Sequence, residues 1–314
     1  MEMSKNNFTL LITTKNRIED LKFTLVKIQY LLDKDDVECI VCDDGSTDET
    51  SSFLQINYPD IQLIRNSRSK GLIYSRNRLL SFVTTPFAIS IDDDLHFITQ
   101  QPLELIAHHF EKNTSCGLIG FRIFWDLEEP ISTVSKEIPV AMQSFAGGAH
   151  VWRMSAWNSI PNYPAWFIFY GEEDFASYQL FKKNWEIHYL PEVLVHHRVD
   201  IKARKNNNDY TLRLRRSLRS GWYLFFLFFP LEIIPRRMAY SIWMQLKLKV
   251  FKGDFKGFQA LVLALIDLVW SIPLLIKNSN RLTQKEYEAY QRLPETKLYW
   301  QPEKLVLSLK NRTN

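Results

Sequence analysis

Cysteine is scarce in this 314-residue chain: there are three, Cys39, Cys42 and Cys116. Three thiols rule out a disulfide framework and fit a reducing compartment. Cys39 and Cys42 have a metal-like spacing, but they fall in Val37-Glu-Cys-Ile-Val-Cys42, which reads as a strand. Positions three apart on a strand face opposite ways, so a shared metal is excluded and both read as small core residues. Glycine is absent before Gly45. That excludes a dinucleotide-binding G-x-G-x-x-G or a P-loop after the first strand, and the Gly-rich loop of a nucleotidyltransferase. Phosphates must therefore be held in another way, and a metal is the obvious one. The N-terminus, Met1 to Asn7, is polar and lacks a signal-peptide pattern. The expected location is cytoplasmic, extending to the inner face of the cell membrane if the C-terminal helices touch lipid. Net charge is only +4, which does not by itself imply nucleic acid, and no nucleic-acid partner is expected.

What is present is a globular composition, 46% hydrophobic and 24% charged, enough for a large core. The first two hundred residues alternate short apolar runs with helical periods. Phe8–Thr13 reads as a strand. Ile18 to Leu32 reads as a helix with Leu21, Leu25 and Ile28 on its apolar face. Val37–Cys42 is a second strand. Asp43-Asp-Gly-Ser-Thr-Asp48 is a turn feeding a helix that Ser46 or Thr47 would cap. Ile61–Ile64, a helix from Gly71 to Val83, and the strand Phe87–Ile91 follow. This order of nearly all-apolar strands predicts an α/β fold, a mostly parallel sheet covered on both faces.

In such sheets ligands lie outside the carboxyl ends of the strands. Three polar clusters fall there: Thr13-Thr-Lys-Asn-Arg17, Asp43-Asp44, and Asp92-Asp-Asp94. One acidic turn alone is most simply a solvated loop. Three coincident polar strand ends point to a ligand site, and three adjacent carboxylates to a hard divalent cation.

The blocks Thr13-Thr-Lys-Asn-Arg17, Val41-Cys-Asp-Asp-Gly-Ser-Thr-Asp48, Gly71-x4-Arg76-Asn77, Ile91-Asp-Asp-Asp94, Gly147-Gly-Ala-x3-Arg153 and Gly171-Glu-Glu-Asp174, with His196-His197 beyond, stand in this order. Over roughly residues 8 to 200 the chain thus resembles a family 2 glycosyltransferase of the GT-A fold. The resemblance implies a Rossmann-like sheet over residues 1–199, followed by a C-terminal helical region, 200–314. It implies an inverting, metal-dependent transfer from a nucleoside-diphosphate sugar, of UDP or dTDP type, to a saccharide or lipid-linked acceptor in cell-surface polysaccharide or glycolipid synthesis. Thr13, Asn16, Arg17, Asp43, Asp44, Arg76, Asp92 and Asp93 would bind the nucleotide sugar, Thr13 and Asp44 at the base and ribose. Asp94, Asp92 and His197 would hold Mg²⁺ or Mn²⁺. Asp174, aided by Glu173, would be the general base. The alternative is a catalytically degenerate relative that binds nucleotide sugar or a partner protein.

Several side chains carry their own expectations. Arg76 lies four residues after Leu72 and should lean inward. Only one of His196 and His197 can face the site, and His197 is preferred. Within the acidic triplet Asp93 reads as the spacer most tolerant of change. Gly147 and Gly148 would allow close backbone approach near the acceptor, and Trp125 and Asp126 would line its pocket or pack in the core. Beyond His197 the composition shifts. Lys202, Arg204, Lys205, Arg213, Arg215, Arg216 and Arg219 stand against a single acid, Asp209, and Asn206 to Asn208 suggest a mobile connection. The aromatic run Trp222–Phe229 is too short to span a bilayer. The run Phe258–Ile276 is interrupted by Asp267 and Pro273. Basic and aromatic stretches side by side suit peripheral contact with an anionic membrane, or else a helical subdomain with a solvated basic face. The tail from Lys304 is expected to fray.

Overall fold

A computed structural model describes residues 7–199 and 209–302. The Asn206–Asn208 connection, the first three of the C-terminal basic residues and the tail from Lys304 lie outside the described residues. In chain order the elements are β1 (Phe8–Thr14), α1 (Ile18–Lys27), α2 (Gln29–Leu32), β2 (Val37–Asp43), α3 (Thr50–Asn57), β3 (Gln62–Arg65), α4 (Leu72–Leu80), β4 (Phe87–Asp92) and β5 (Leu95–Phe97). Then come α5 (Pro102–Lys112), β6 (Cys116–Asp126), β7 (Val140–Ala141), β8 (Ala149–Arg153), α6 (Met154–Trp157), α7 (Glu172–Lys182) and β9 (Glu186–Arg198). The C-terminal region adds α8 (Tyr210–Phe228), α9 (Ile234–Leu248), α10 (Phe255–Lys277) and α11 (Gln284–Arg292).

The sheet runs β3-β2-β1-β4-β8-β6-β9-β5, with β7 beside β9. Its first half, β3 to β4, is parallel throughout. Beyond β4 it becomes mixed: β8 is antiparallel to both β4 and β6, whereas β9 is parallel to β6. The parallel half follows from the strand–helix alternation. The mixed half depends on pairings between strands far apart in sequence, which no local pattern encodes.

Two apolar layers cover the sheet, and strand alternation assigns residues to them. Leu10, Ile12, Cys39 and Val41 face α1 and α5, while Leu11, Ile40 and Cys42 face α4 and the C-terminal helices. Cys39 and Cys42 therefore lie on opposite faces, as expected, and burial pushes the Cys39 thiol up to about 12. The C-terminal helices share the second layer with the sheet: Tyr178 of α7 stacks on Phe228 of α8, with ring centroids 4.8 Å apart, and meets Tyr290 of α11 at 4.6 Å.

Two local expectations need correction. The helix expected over Ile18–Leu32 is two helices, broken at Ile28. Neither Ser46 nor Thr47 caps α3, which begins at Thr50 after Glu49. The Ser46 backbone N–H is drawn instead to Asp43, and Asp48 accepts from the Thr50 N–H and hydroxyl. A turn with that much internal hydrogen bonding delays the helix.

Candidate active site

Register brings the three polar strand ends together. Thr13 pairs with Asp92 across β1 and β4, and Thr14 with Asp43 across β1 and β2. They border a cleft of about 480 Å³ lined by Thr13, Lys15, Arg17, Asp44, Ser69, Ser75, Asp92, Asp93, Asp94 and His197 among others. His197 reaches it from β9. It pairs in register with Leu95 of β5 and turns its ring to the edge of Trp125. His196 points to the other side, where its Nε2 meets the Asp126 carbonyl at 2.9 Å.

The acidic triplet separates into three environments. Asp93 is buried and accepts from Thr14 Oγ1 at 2.8 Å and Arg17 at 3.0 Å, while its carbonyl takes the Thr24 hydroxyl at 2.7 Å. It is therefore an anchor of β1 and α1, not a tolerant spacer. Burial lifts its carboxyl to about 7, against the pull of Arg17. Asp94 lies 2.7 Å from Arg17 through Oδ2 and 2.9 Å from His197 Nε2 through Oδ1. Burial opposes its ionisation, but His197 and Arg17 together hold it below the usual carboxylate range. Asp92 sits 3.1 Å from Arg76 and 3.9 Å from His197 Nε2; burial raises its carboxyl despite the nearby guanidinium.

Asp92, Asp94 and His197 present ligand atoms within 4.8 Å of one another. Asp94 Oδ1 has only the His197 Nε2 contact at 2.9 Å, and His197 Nδ1 has no hydrogen-bond partner among the described residues. Two carboxylates and an imidazole with spare buried valence fit a divalent ion such as Mn²⁺ or Mg²⁺.

The remaining expected contacts divide. Asp44 reaches the cleft and accepts from Asn66, Ser69, Lys70 N–H, Gly71 N–H and Ser75. Burial works against it, but these donors hold it below the usual range. It thus shapes the wall formed by residues 66–75. Gly45 permits this: its φ is +73°, and a Cβ there would lie 2.7 Å from the Ser69 nitrogen. Asn16 and Asp43 are not among the cleft-lining residues. The Asn16 side chain accepts from the Thr47 N–H, and Asp43 is fully buried on Ser46 and Ser51. Both tie the β1 and β2 loops together behind the site.

Arg76 leans inward as its helical position requires, 5% exposed. Its guanidinium lies 3.1 Å from Asp92, 3.1 Å from Glu172 and 3.8 Å from Glu173, and donates to the Gly147 carbonyl at 2.7 Å. One cation faces three carboxylates, so they cannot all ionise at ordinary cost. Glu173 is farthest from Arg76; burial first, then the Glu172 charge, raise it well above the usual range. A Cβ on Gly147 would fall 2.0 Å from Glu173 Oε1, so a larger residue there would push this carboxylate from its present place. Asp174 is exposed at the start of α7 and turns away, toward Ser144. Of the two expected base residues, Glu173 is the one beside Arg76.

A sequence profile described as glycosyl transferase family 2 matches residues 9–175, more than half of the chain. The chain belongs to glycosyl transferase family 2. It has a GT-A fold with an added C-terminal helical layer. Its fold is similar to that of the mannosyltransferase PcManGT from Pyrobaculum calidifontis in complex with GDP-Man and Mn²⁺, at TM-score 0.53 and 14% identity, covering 92% of this chain and 79% of that one. S. aureus TarS 1–349 matches at TM-score 0.53 and 14% identity, over 87% and 83%. GalNAc-T7 with UDP, GalNAc and Mn²⁺ matches at TM-score 0.52 and 14% identity, over 70% of this chain and only half of that one. No curated protein sequence matches the chain.

This family 2 enzyme also uses residues that sequence reasoning missed. Phe169 and Tyr170 line the cleft from the loop before α7, and Arg213 enters it from α8. Ile168 and Tyr170 both have φ of +71°, a costly state for a β-branched or bulky residue that marks a loop held by its surroundings. The run Trp166-Phe-Ile-Phe-Tyr170 carries no sequence signal beyond its apolar character. Arg213 was visible only as part of a basic tract.

Proposed function

We propose that this glycosyltransferase is a metal-dependent, inverting enzyme acting from a membrane surface on a saccharide or lipid-linked acceptor. The observation that carries the reading is the Asp92–Asp94–His197 set facing one side of a cleft, with Glu173 held at a raised pKa beyond Arg76. A divalent ion on those three residues would neutralise the diphosphate leaving group without a proton. Arg17 and His197 keep Asp94 ionised for that role. Arg213 and Lys15 add cations at the cleft for the donor's phosphates. Glu173, whose carboxyl is raised above the usual range by burial and by the Glu172 charge, takes the acceptor hydroxyl proton from its ionised form. In this scheme the acceptor oxygen attacks the anomeric carbon directly, with Glu173 as its base and no covalent enzyme intermediate, so the anomeric configuration inverts. That neighbouring folds carry UDP or GDP-Man with Mn²⁺ supports a metal and a nucleoside-diphosphate donor.

The C-terminal layer supports the membrane reading. α10 is long and apolar enough to cross a bilayer, but its only acid, Asp267, is paired with Arg215 and Arg219 of α8. Ala260, Leu261, Ala264 and Leu268 pack inward. The opposite face leaves Phe255 85% and Trp270 81% exposed, with Phe251 and Trp243 also exposed nearby in the chain. Lys247, Lys249, Lys252 and Lys256 are interleaved with these aromatics at one end. An apolar face with a basic rim matches an anionic lipid surface, with α10 lying in the interface.

The test has two arms. Transfer from UDP-, GDP- and dTDP-sugars is measured with Mn²⁺ and after chelation, and the product's anomeric configuration is read by NMR. Metal-independent transfer or retention would refute the chemical reading. Co-sedimentation with phosphatidylglycerol vesicles should exceed that with phosphatidylcholine vesicles and fall in Phe255→Ser/Trp270→Ser. Equal binding to both vesicles, or none, would refute the membrane reading.

A further inference from the structure

At the far end of β6 and β9 from the cleft, three ligand-type side chains from separate elements meet. His109 of α5, Cys116 of β6 and His188 of β9 place their ligand atoms within 4.8 Å of one another. Cys116 and His188 are buried. His109 Nε2 lies 2.8 Å from His188 Nδ1, with the rings nearly perpendicular at 77°. The other nitrogen of His188, Nε2, meets Glu186 Oε2 at 3.0 Å, and Ser115 Oγ donates to the same oxygen at 2.7 Å.

The hydrogen bonding orients the group. An ionised Glu186 is an acceptor only, so His188 carries its proton on Nε2 and turns the Nδ1 lone pair inward. A carboxylate behind a histidine in this way is the outer partner that fixes a metal-ligating imidazole. His109 Nε2 faces that lone pair at 2.8 Å, so a single proton between the two rings satisfies the contact. The cation beside Cys116, Arg153, is engaged elsewhere: it donates to the carbonyls of Cys116, Phe110 and Asn113.

We propose that His109, Cys116 and His188 form a second metal site, for a borderline divalent cation of the zinc type. Two imidazoles and a thiolate suit such an ion and not the hard ion of an oxygen-rich cleft. Binding would move the His109 proton from Nε2 to Nδ1, release the Cys116 thiol proton to solvent, and leave a fourth position to water. The site clamps the end of α5 to the starts of β6 and β9. It stands apart from the cleft by the length of those strands, roughly 30 Å at a rise of about 3.3 Å per residue.

The experiment uses Co²⁺ on the metal-stripped full chain. Thiolate-to-cobalt charge-transfer absorption reports a cysteine ligand, so a metal bound at Asp92, Asp94 and His197 is silent in it. One equivalent of Co²⁺ should produce the band, Zn²⁺ should abolish it, and both Cys116→Ser and His109→Gln should lose it. The thermal midpoint of the stripped wild type should rise with Zn²⁺, and that of His109→Gln should not. Circular dichroism of stripped His109→Gln establishes that this variant folds, should Cys116→Ser fail to. Absence of the band in the wild type, or its survival in His109→Gln, would overturn the proposal and leave a hydrogen-bonded histidine pair.

Discussion

Two acidic triplets, Asp92-Asp-Asp94 and Glu172-Glu-Asp174, look alike as strings, yet only the first has a member, Asp94, held below the usual carboxylate range. The first ends a strand and is met by Arg17, His197 and Arg76, so Asp94 is held ionised. The second opens a helix and shares only Arg76, which Asp92 also draws on, so Glu173 retains its proton more tightly. A helix N-terminus favours carboxylates, but here burial and mutual repulsion outweigh it. The lesson is that each carboxyl answers to its own contacts, not to the number of carboxylates beside it: Asp94, met by both Arg17 and His197, is lowered, whereas burial raises Asp92, Asp93 and Glu173.

Breaking the first triplet should have the largest effect. Asp94→Ala should lower initial transfer rates by roughly a thousandfold or more, because a bound metal supplies several kcal/mol of transition-state stabilisation. Excess Mn²⁺ should not restore it. In the second triplet, Glu173→Gln should cost on the order of a hundredfold in kcat, with donor binding by calorimetry unchanged, as expected for a lost general base. Asp174→Asn should cost under about tenfold; the reverse order would give the base role to Asp174.

The shared guanidinium connects the two triplets. Arg76→Met leaves Glu172 and Asp92 buried without their cation and should destabilise the fold by about 3–5 kcal/mol in urea unfolding. A neutral result would mean that these acids are already protonated. A smaller effect sharpens the contrast through pH. A carboxyl raised in the folded state binds its proton more tightly there than in the unfolded chain. Its contribution to stability is therefore present at low pH and is lost as pH rises from the unfolded value, about 4.3, through the raised folded one. Glu173→Gln should flatten that decline, being relatively more stable than the wild type at about pH 8 than at about pH 5. The smallest expected change is Arg213→Ala, about tenfold in donor KM with kcat nearly unchanged, as for one charge-assisted contact.

Much of this protein was determined by local pattern. Alternation of apolar strands and helical periods specified the parallel half of the sheet, and the polar strand ends located the cleft, because strand direction alone delivers them to one edge. The helical spacing of Arg76 from Leu72 placed it inward. Tertiary structure alone decided the rest. Which acid of each triplet carries which charge depends on Arg17, Arg76 and His197, which arrive from the β1 loop, α4 and β9. Asp43 and Asn16 had the right residue type at the right strand ends but are taken up by loop hydrogen bonds off the cleft, and Asp93 lines the cleft while anchoring β1 and α1. Arg213 and Tyr170 reach the cleft only because α8 packs across the sheet's second face. Charge and proton affinity are set by neighbours within a few ångströms, and in a mixed sheet those neighbours lie dozens of residues apart.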